Sequence, residues 1–143
     1  MPIIDLTLTQ GRFTVEQKAA LARDLTQCLL KCDVTRDNPK APAINWCYIH
    51  ELPAEHVYVA GEPESAPHYR VDITVMHGAM SPPVKDQIVQ DMTHVLLTAE
   101  GHRPNPLNAS RVWITFHEIE DGNWGAGGRI YRLADLMAYL APR

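Results

Sequence analysis

The chain has 143 residues, 45% of them apolar and 21% charged, with a formal net charge of −4. That length suits one domain with a real core, and an acidic balance without a Lys/Arg-rich run argues against nucleic acid and acidic membranes as main partners. No apolar stretch approaches the roughly 18 residues of a membrane span, the N-terminus lacks a signal-peptide layout, and an odd three cysteines point to thiols in a reducing compartment, so the cytoplasm is the expected location.

Residues 3–8 are β-branched and apolar and predict a strand over about 3–9, with Pro2 at its start directly after Met1. Gln10-Gly11-Arg12 is a turn. Thr14 with Gln17 three residues on is a capping-box signature and opens a helix over about 14–31. Leu21, Leu25, Cys28 and Leu29 recur at helical spacing and mark its buried face. Residues 38–42 form a loop and 45–51 a second strand. Strand, helix, strand makes a βαβ unit with parallel strands and a right-handed crossover. Residues 61–67, with two prolines and two glutamates, read as a linker. The pattern then returns. A strand over 70–76 leads to a helix capped by Ser81, with Pro82 at its first position, running to about Ala99. A strand over 111–118, a turn-rich loop over 122–128 and a short helix over 133–140 complete the chain.

Asp5-Leu-Thr-Leu-Thr-Gln-Gly lies over Asp72-Ile-Thr-Val-Met-His-Gly at an offset of 67. Without a gap, Gly11 then meets Gly78, Lys18 meets Lys85, Asp24 meets Asp91, Leu29 meets Leu96 and His50 meets His117. The chain is two copies of one unit, residues 2–61 and 69–128, inside a single domain over 1–143 with a tail over 129–143. Two βαβ units predict an α+β fold, a four-stranded mixed sheet with two helices on one face. Covering the other face calls for a second subunit, so a symmetric homo-oligomer is expected.

Three stretches carry a family likeness: Met1-Pro2-Ile3-Ile4, Gln10-Gly11-Arg12 followed by Glu16-Gln17-Lys18, and residues 118–128 with Trp124-Gly-Ala-Gly-Gly128. Together they resemble the tautomerase superfamily over nearly the whole chain. The layout is similar to a fused, two-unit 4-oxalocrotonate tautomerase, and to cis-3-chloroacrylic acid dehalogenase and malonate semialdehyde decarboxylase. The resemblance implies a tautomerase (MIF-like) fold, a homotrimer, and an isomerase needing no metal or organic cofactor. Its catalytic residue would be Pro2 after loss of Met1, and its substrate a small carboxylate, either a keto acid or an unsaturated acid.

The amine chemistry has a physical basis. An α-amino group titrates near roughly 7.7–8.0, and burial or a nearby cation disfavours its charged form. A modest downward shift leaves it neutral near neutral pH and able to take a proton. Protonated, it could act as an acid in hydration or dehalogenation. A retained Met1 would convert it to an amide and abolish the role.

A pseudo-twofold axis between the copies would set their first strands antiparallel. Pro2 then lies near His77-Gly78-Ala79, and Arg12 near Tyr69 and Arg70. The repeat mate of Pro2 is Tyr69 and that of Arg12 is Ala79. In the family the arginine at the position of Arg12 binds a substrate carboxylate, so here base and arginine fall to different pockets, and one active pocket per chain is expected. His77 is a candidate oxyanion donor or proton shuttle. Arg111, on the same strand face as Trp113, is a candidate carboxylate ligand, and Trp124 a candidate aromatic wall. Arg12 and Arg70 complete the substrate-binding candidates. Met76-His-Gly-Ala-Met-Ser81 lacks the paired arginines of the dehalogenase and the decarboxylase. Two alternatives stay open: a hydratase, dehalogenase or decarboxylase using the same proline, and a non-catalytic trimeric interaction module with a degenerate pocket.

Overall fold

Ile4, Leu6 and Leu8 point inward along the first strand and Ile3, Asp5 and Thr7 outward, the alternation of a strand buried on one face. The computed structural model describes residues 1–32 and 35–142. Its elements in order are β1 (Ile3–Thr9), α1 (Val15–Leu30), β2 (Trp46–Leu52), β3 (Tyr58–Val59), β4 (Glu62–Pro63), β5 (Tyr69–Met76), α2 (Pro82–Glu100), α3 (Pro106–Ala109), β6 (Val112–Ile119), β7 (Trp124–Ala126), β8 (Arg129–Tyr131) and α4 (Leu133–Leu140). The Thr14 hydroxyl accepts from the Gln17 N–H at 3.1 Å and the Gln17 side chain accepts from the Thr14 N–H at 2.9 Å, so the capping box is closed. Ser81 is the N-cap of α2 by position, without a side-chain hydrogen bond. Gly101, left-handed at φ 88°, ends that helix.

The main sheet runs β2-β1-β5-β6. β1 and β5 are antiparallel at its centre, and each pairs in parallel with the second strand of its own unit. Leu25, Leu29, Ile88, Met92 and Leu96 of the two long helices bury against Ile4, Leu6, Val71, Ile73 and Val75 of the sheet. This is the mixed sheet with both long helices on one face that the repeat implies.

The symmetry extends to register. Asp5 pairs with Asp72, its own repeat mate, so the twofold axis passes between them. Ile3 pairs with Trp46 and Arg70 with Trp113, the same pairing 67 residues on. The hairpins β3–β4 and β7–β8 repeat as well, Tyr58 with Pro63 and Gly125 with Ile130. The linker expected over 61–67 and the loop expected over 122–128 overlap these hairpins only in part. Strands of two or three residues are too short for alternation to register, and they exist because the turn between them is right. Ala60-Gly61 and Gly127-Gly128 all have positive φ, the conformation of a two-residue type I′ hairpin loop. Ala60, at φ 54°, is the non-glycine among them. Ala60→Gly is therefore expected to stabilise the protein by about 0.5–1 kcal/mol, read as a higher urea midpoint at unchanged m-value. The short helix α3, in a stretch that reads as a chain break, is capped by Asn105, whose side chain accepts from the Asn108 N–H at 2.9 Å.

The open face of the sheet is less apolar than its strands suggest. Trp46 and Trp113 stand exposed, at 58% and 71%. Between them lies a polar strip. His50 Nε2 is 2.6 Å from Asp5, and Asp72 accepts from Thr115 at 2.6 Å, from Arg70 at 2.8 Å, and lies 3.0 Å from His117. Two carboxylates directly opposite each other repel, and these partners offset it. Burial works against ionisation of Asp72, but the hydrogen bonds with Thr115 and His117 and the Arg70 charge outweigh it and hold its pKa below the ordinary 3.8. A depressed carboxyl pKa contributes stability that is complete above the unfolded value and is lost as pH falls through the folded one. Melting temperature is expected to hold down to about pH 5 and to fall below about pH 4. Asp72→Asn should flatten that acid slope, measured by melts across the range.

Candidate functional site

β1 starts in the middle of the sheet, so its first residues are held on both sides. Ile3 pairs with Trp46 and with Thr74, and the Trp46 N–H donates to the Pro2 carbonyl at 3.2 Å. Pro2 is buried. Met1 packs against a small cluster formed by Ala41, Met76, Leu136 and Leu140. Burial pulls its terminal amine from the ordinary 8.0 down to about 6.

Beside this amine lies a cavity of about 480 Å³. Met1 and Ile3, on either side of Pro2, line it together with Ile44, Trp46, Thr74, Ile119, Asn123 and Trp124. Trp124 arrives on the β7–β8 hairpin, and α4 secures that corner. The Leu133 N–H donates to Asp121 at 2.9 Å, and the Arg132 N–H to Asp135 at 2.7 Å. At the far end of α4, Asn38 Nδ2 donates to the Leu140 carbonyl and Lys40 Nζ to the Tyr139 carbonyl, both at 2.7 Å. Among the described residues no charged side chain lines the cavity. Thr74 and Asn123 are its polar side chains. A desolvated amine against apolar walls has the makings of a proton acceptor near neutral pH.

The candidate residues divide. Trp124 shares the cavity with the N-terminus; His77, Arg12, Arg70 and Arg111 do not line it. His77 is exposed, its N–H tied to the Ile119 carbonyl at 2.9 Å and its Nδ1 3.5 Å from Glu118. Arg12 donates through Nη2 to Glu64 at 3.0 Å, and the same buried carboxylate accepts from the Thr9 hydroxyl and the His68 N–H. Burial alone would raise the Glu64 pKa, but these hydrogen bonds outweigh it and lower it. Arg70 donates through Nε to Asp72. Arg111 donates through Nη1 to both oxygens of Glu100, at 3.0 and 3.1 Å, and to the Pro67 carbonyl. Each arginine is already matched to an acid.

Arg70 and Arg111 do share a cavity, but a different one, also of about 480 Å³, around Tyr69. The repeat contains the signal for this: their mates are Ile3 and Ile44, which line the first cavity. Thr74 and Asn123 were missed. Thr74 is legible in hindsight, as the residue opposite Ile3 once the repeat mates Asp5 and Asp72 are paired across the axis. Asn123 sits before a tryptophan in a loop and carried no signal.

No family model matches the chain. A probable tautomerase of Ralstonia nicotianae is 44% identical over 66 residues, which are 46% of this chain and 86% of that protein, about one repeat. Among solved structures, Pt0534 inactivated by 2-oxo-3-pentynoate superposes with a TM-score of 0.75 at 18% identity, covering 92% of this chain and 97% of that one. A fused 4-OT asymmetric trimer gives 0.71 at 19% identity, over 90% and 94%. A member of the cis-3-chloroacrylic acid dehalogenase family gives 0.70 at 16% identity, over 90% and 82%. These structural likenesses extend to the fold.

Proposed function

The chain belongs to the tautomerase superfamily, with the two-unit layout of fused 4-OT, and on that footing we propose that it moves a proton between oxygen and carbon of a small keto acid or unsaturated acid, with the Pro2 amine, freed by loss of Met1, as the base. The observation that carries this is the buried Pro2 at the head of the central strand, flanked by Met1 and Ile3 that line an apolar cavity of about 480 Å³.

In the enol-to-keto direction, the neutral amine takes the enol O–H proton. The O–H bonding pair becomes the carbonyl π bond, and the carbon–carbon π pair takes the proton back from the ammonium. Atoms and electrons balance without a co-reactant. Trp46, Ile44 and Trp124 hold the organic part of the substrate and keep water from the amine. Thr74 and Asn123 are the lining side chains able to hydrogen-bond its oxygen. The carboxylate of an acid substrate lies toward the open side, since no cationic side chain of this chain lines the cavity. The chain assembles as a trimer through the exposed sheet face that carries Trp46 and Trp113. Sedimentation showing a stable monomer at micromolar concentration would contradict that assembly.

The test is the ultraviolet decay of an arylpyruvate enol, run on protein whose loss of Met1 is established by mass spectrometry. No acceleration across a panel of keto acids would point instead to a non-catalytic module. A second readout follows from the inactivated neighbour. The same acetylenic 2-oxo acid is expected to add to the Pro2 amine by conjugate addition, with the mass increment on the N-terminal peptide. Labelling elsewhere, or none, counts against the proposal.

A further inference from the structure

Met1 plugs a corner of the fold. It lines the cavity beside Pro2 and also packs against the cluster of Ala41, Met76, Leu136 and Leu140, as Ile44 and Trp124 do. The four cluster residues are buried by their own chain alone, so their enclosure does not depend on subunit assembly. The repeat shows the same corner filled in another way. The mates of Met1, Met76, Ala79 and Tyr131 are His68, Thr9, Arg12 and Glu64. There the buried Glu64 carboxylate accepts from Thr9, Arg12 and the His68 N–H, and the corner is closed by its own hydrogen bonds. Here Met1, Ala79 and Tyr131 pack on Met76 and the rest of the apolar cluster, and Met1 is the residue that the proposed chemistry removes.

We propose that, with Met1 gone, the space it vacates receives the aliphatic tail of the substrate, so that the keto acid carries an unbranched chain about as long as a methionine side chain. This rests on the loss of Met1 in the proposed function. The space stays open when Met1 leaves. α4 supplies Leu136 and Leu140, and it is pinned at both ends by bonds that do not involve Met1. The Leu133 N–H donates to Asp121 at 2.9 Å, and Asn38 and Lys40 hold the Leu140 and Tyr139 carbonyls at 2.7 Å. An apolar space framed in this way relaxes only partly when a side chain is withdrawn; it stays dry and accepts an apolar guest. Met1 is bonded to the Pro2 nitrogen, so the vacated path begins at the amine and leads into the cluster. A substrate whose reacting carbon meets that nitrogen has its tail aimed along the same path. Ala41, fully buried and the smallest of the walls, sets the room available.

The test is a chain-length series of straight 2-oxo acids, from 2-oxobutanoate to 2-oxoheptanoate, titrated by NMR into two forms of the full chain. In one, methionine aminopeptidase has removed Met1; in the other Met1 is retained, each form being verified by mass. With Met1 gone, affinity is expected to rise about fourfold for each added methylene, or about 60-fold over the series, with amide shifts at Ala41, Met76, Leu136 and Leu140. With Met1 in place the series should be flat. Ala41→Leu, which fills the space from its wall, should flatten the series in the trimmed protein, and its urea midpoint reports whether it folds. Should it not fold, the comparison of the two wild-type forms still decides. Equal affinities along the series in trimmed protein, the same gain with Met1 retained, or shifts that miss the cluster would each overturn the inference. Binding is read without turnover, so the two proposals fail separately. A chain-length gain in a protein that turns over no keto acid keeps this site and sinks the proline chemistry, whereas turnover of an arylpyruvate with a flat series does the reverse.

Discussion

Pro2→Ala is expected to lower kcat/KM for enol–keto conversion of an arylpyruvate by about 10²–10⁴-fold, the usual share of a positioned acid–base group. The substitution leaves a primary amine once Met1 is removed, so the loss measures aim and basicity rather than the presence of nitrogen. The proline ring fixes φ and holds the lone pair on a rigid strand end, whereas alanine lets it rotate. A two-residue extension ahead of Pro2 is the stricter variant. It converts the amine to an amide with no basic lone pair, and activity should vanish. The pH profile follows from burial. Burial lowers the pKa of the terminal amine that Met1 carries at the head of β1, and a base works only when neutral, so a Pro2 amine buried in the same place should bring the rise of kcat/KM below the ordinary α-amino range of roughly 7.7–8.0. Equal rates in wild-type and extended protein would end the proposal, and a profile rising only near pH 8 would show that the amine is solvated in the active protein.

Arg111→Ala is expected to destabilise the fold by about 3–5 kcal/mol, because it strands a buried carboxylate. The side chains of Arg111 and Glu100 are only 12% and 11% exposed, and the guanidinium meets both carboxylate oxygens. Removing both partners, as in Glu100→Gln combined with Arg111→Met, should recover part of the loss, since an apolar and neutral pair leaves no unmatched charge. Its place two residues before Trp113 makes a different demand on this residue, that it hold a substrate carboxylate. Urea unfolding and kinetics on the same variant separate the two. A lower midpoint with kcat/KM unchanged in the folded fraction fits the ion pair. A raised KM at unchanged stability would return Arg111 to the substrate.

Much of the architecture could be read along the chain. Thr14 and Gln17 mark the start of α1, and the capping box they form is a contact between residues three apart. The 67-residue offset predicts the sheet order, because two like βαβ units joined about a twofold have few ways to share one sheet. The paired residues Asp5 and Asp72 then locate the axis. The hairpins escaped, since their strands are set by positive φ at Ala60-Gly61 and Gly127-Gly128 and not by any periodicity.

The chain's own letters determined the duplication, the helix caps, the apolar faces and a proline beside the terminus at the sheet centre. Each is periodic or local, and spacing is enough to show it. The tertiary structure decided what the arginines do. Arg12 meets Glu64 from 52 residues away, and Arg111 meets Glu100 across the turn from α2 into β6. Whether a charge is spent on an internal acid or kept for a ligand depends on which acid the fold brings beside it, and no spacing encodes that. The same folding set Arg70 and Arg111 around Tyr69 and left the cavity at Pro2 apolar. One duplicated frame thus holds a desolvated amine at one end and cationic side chains at the other.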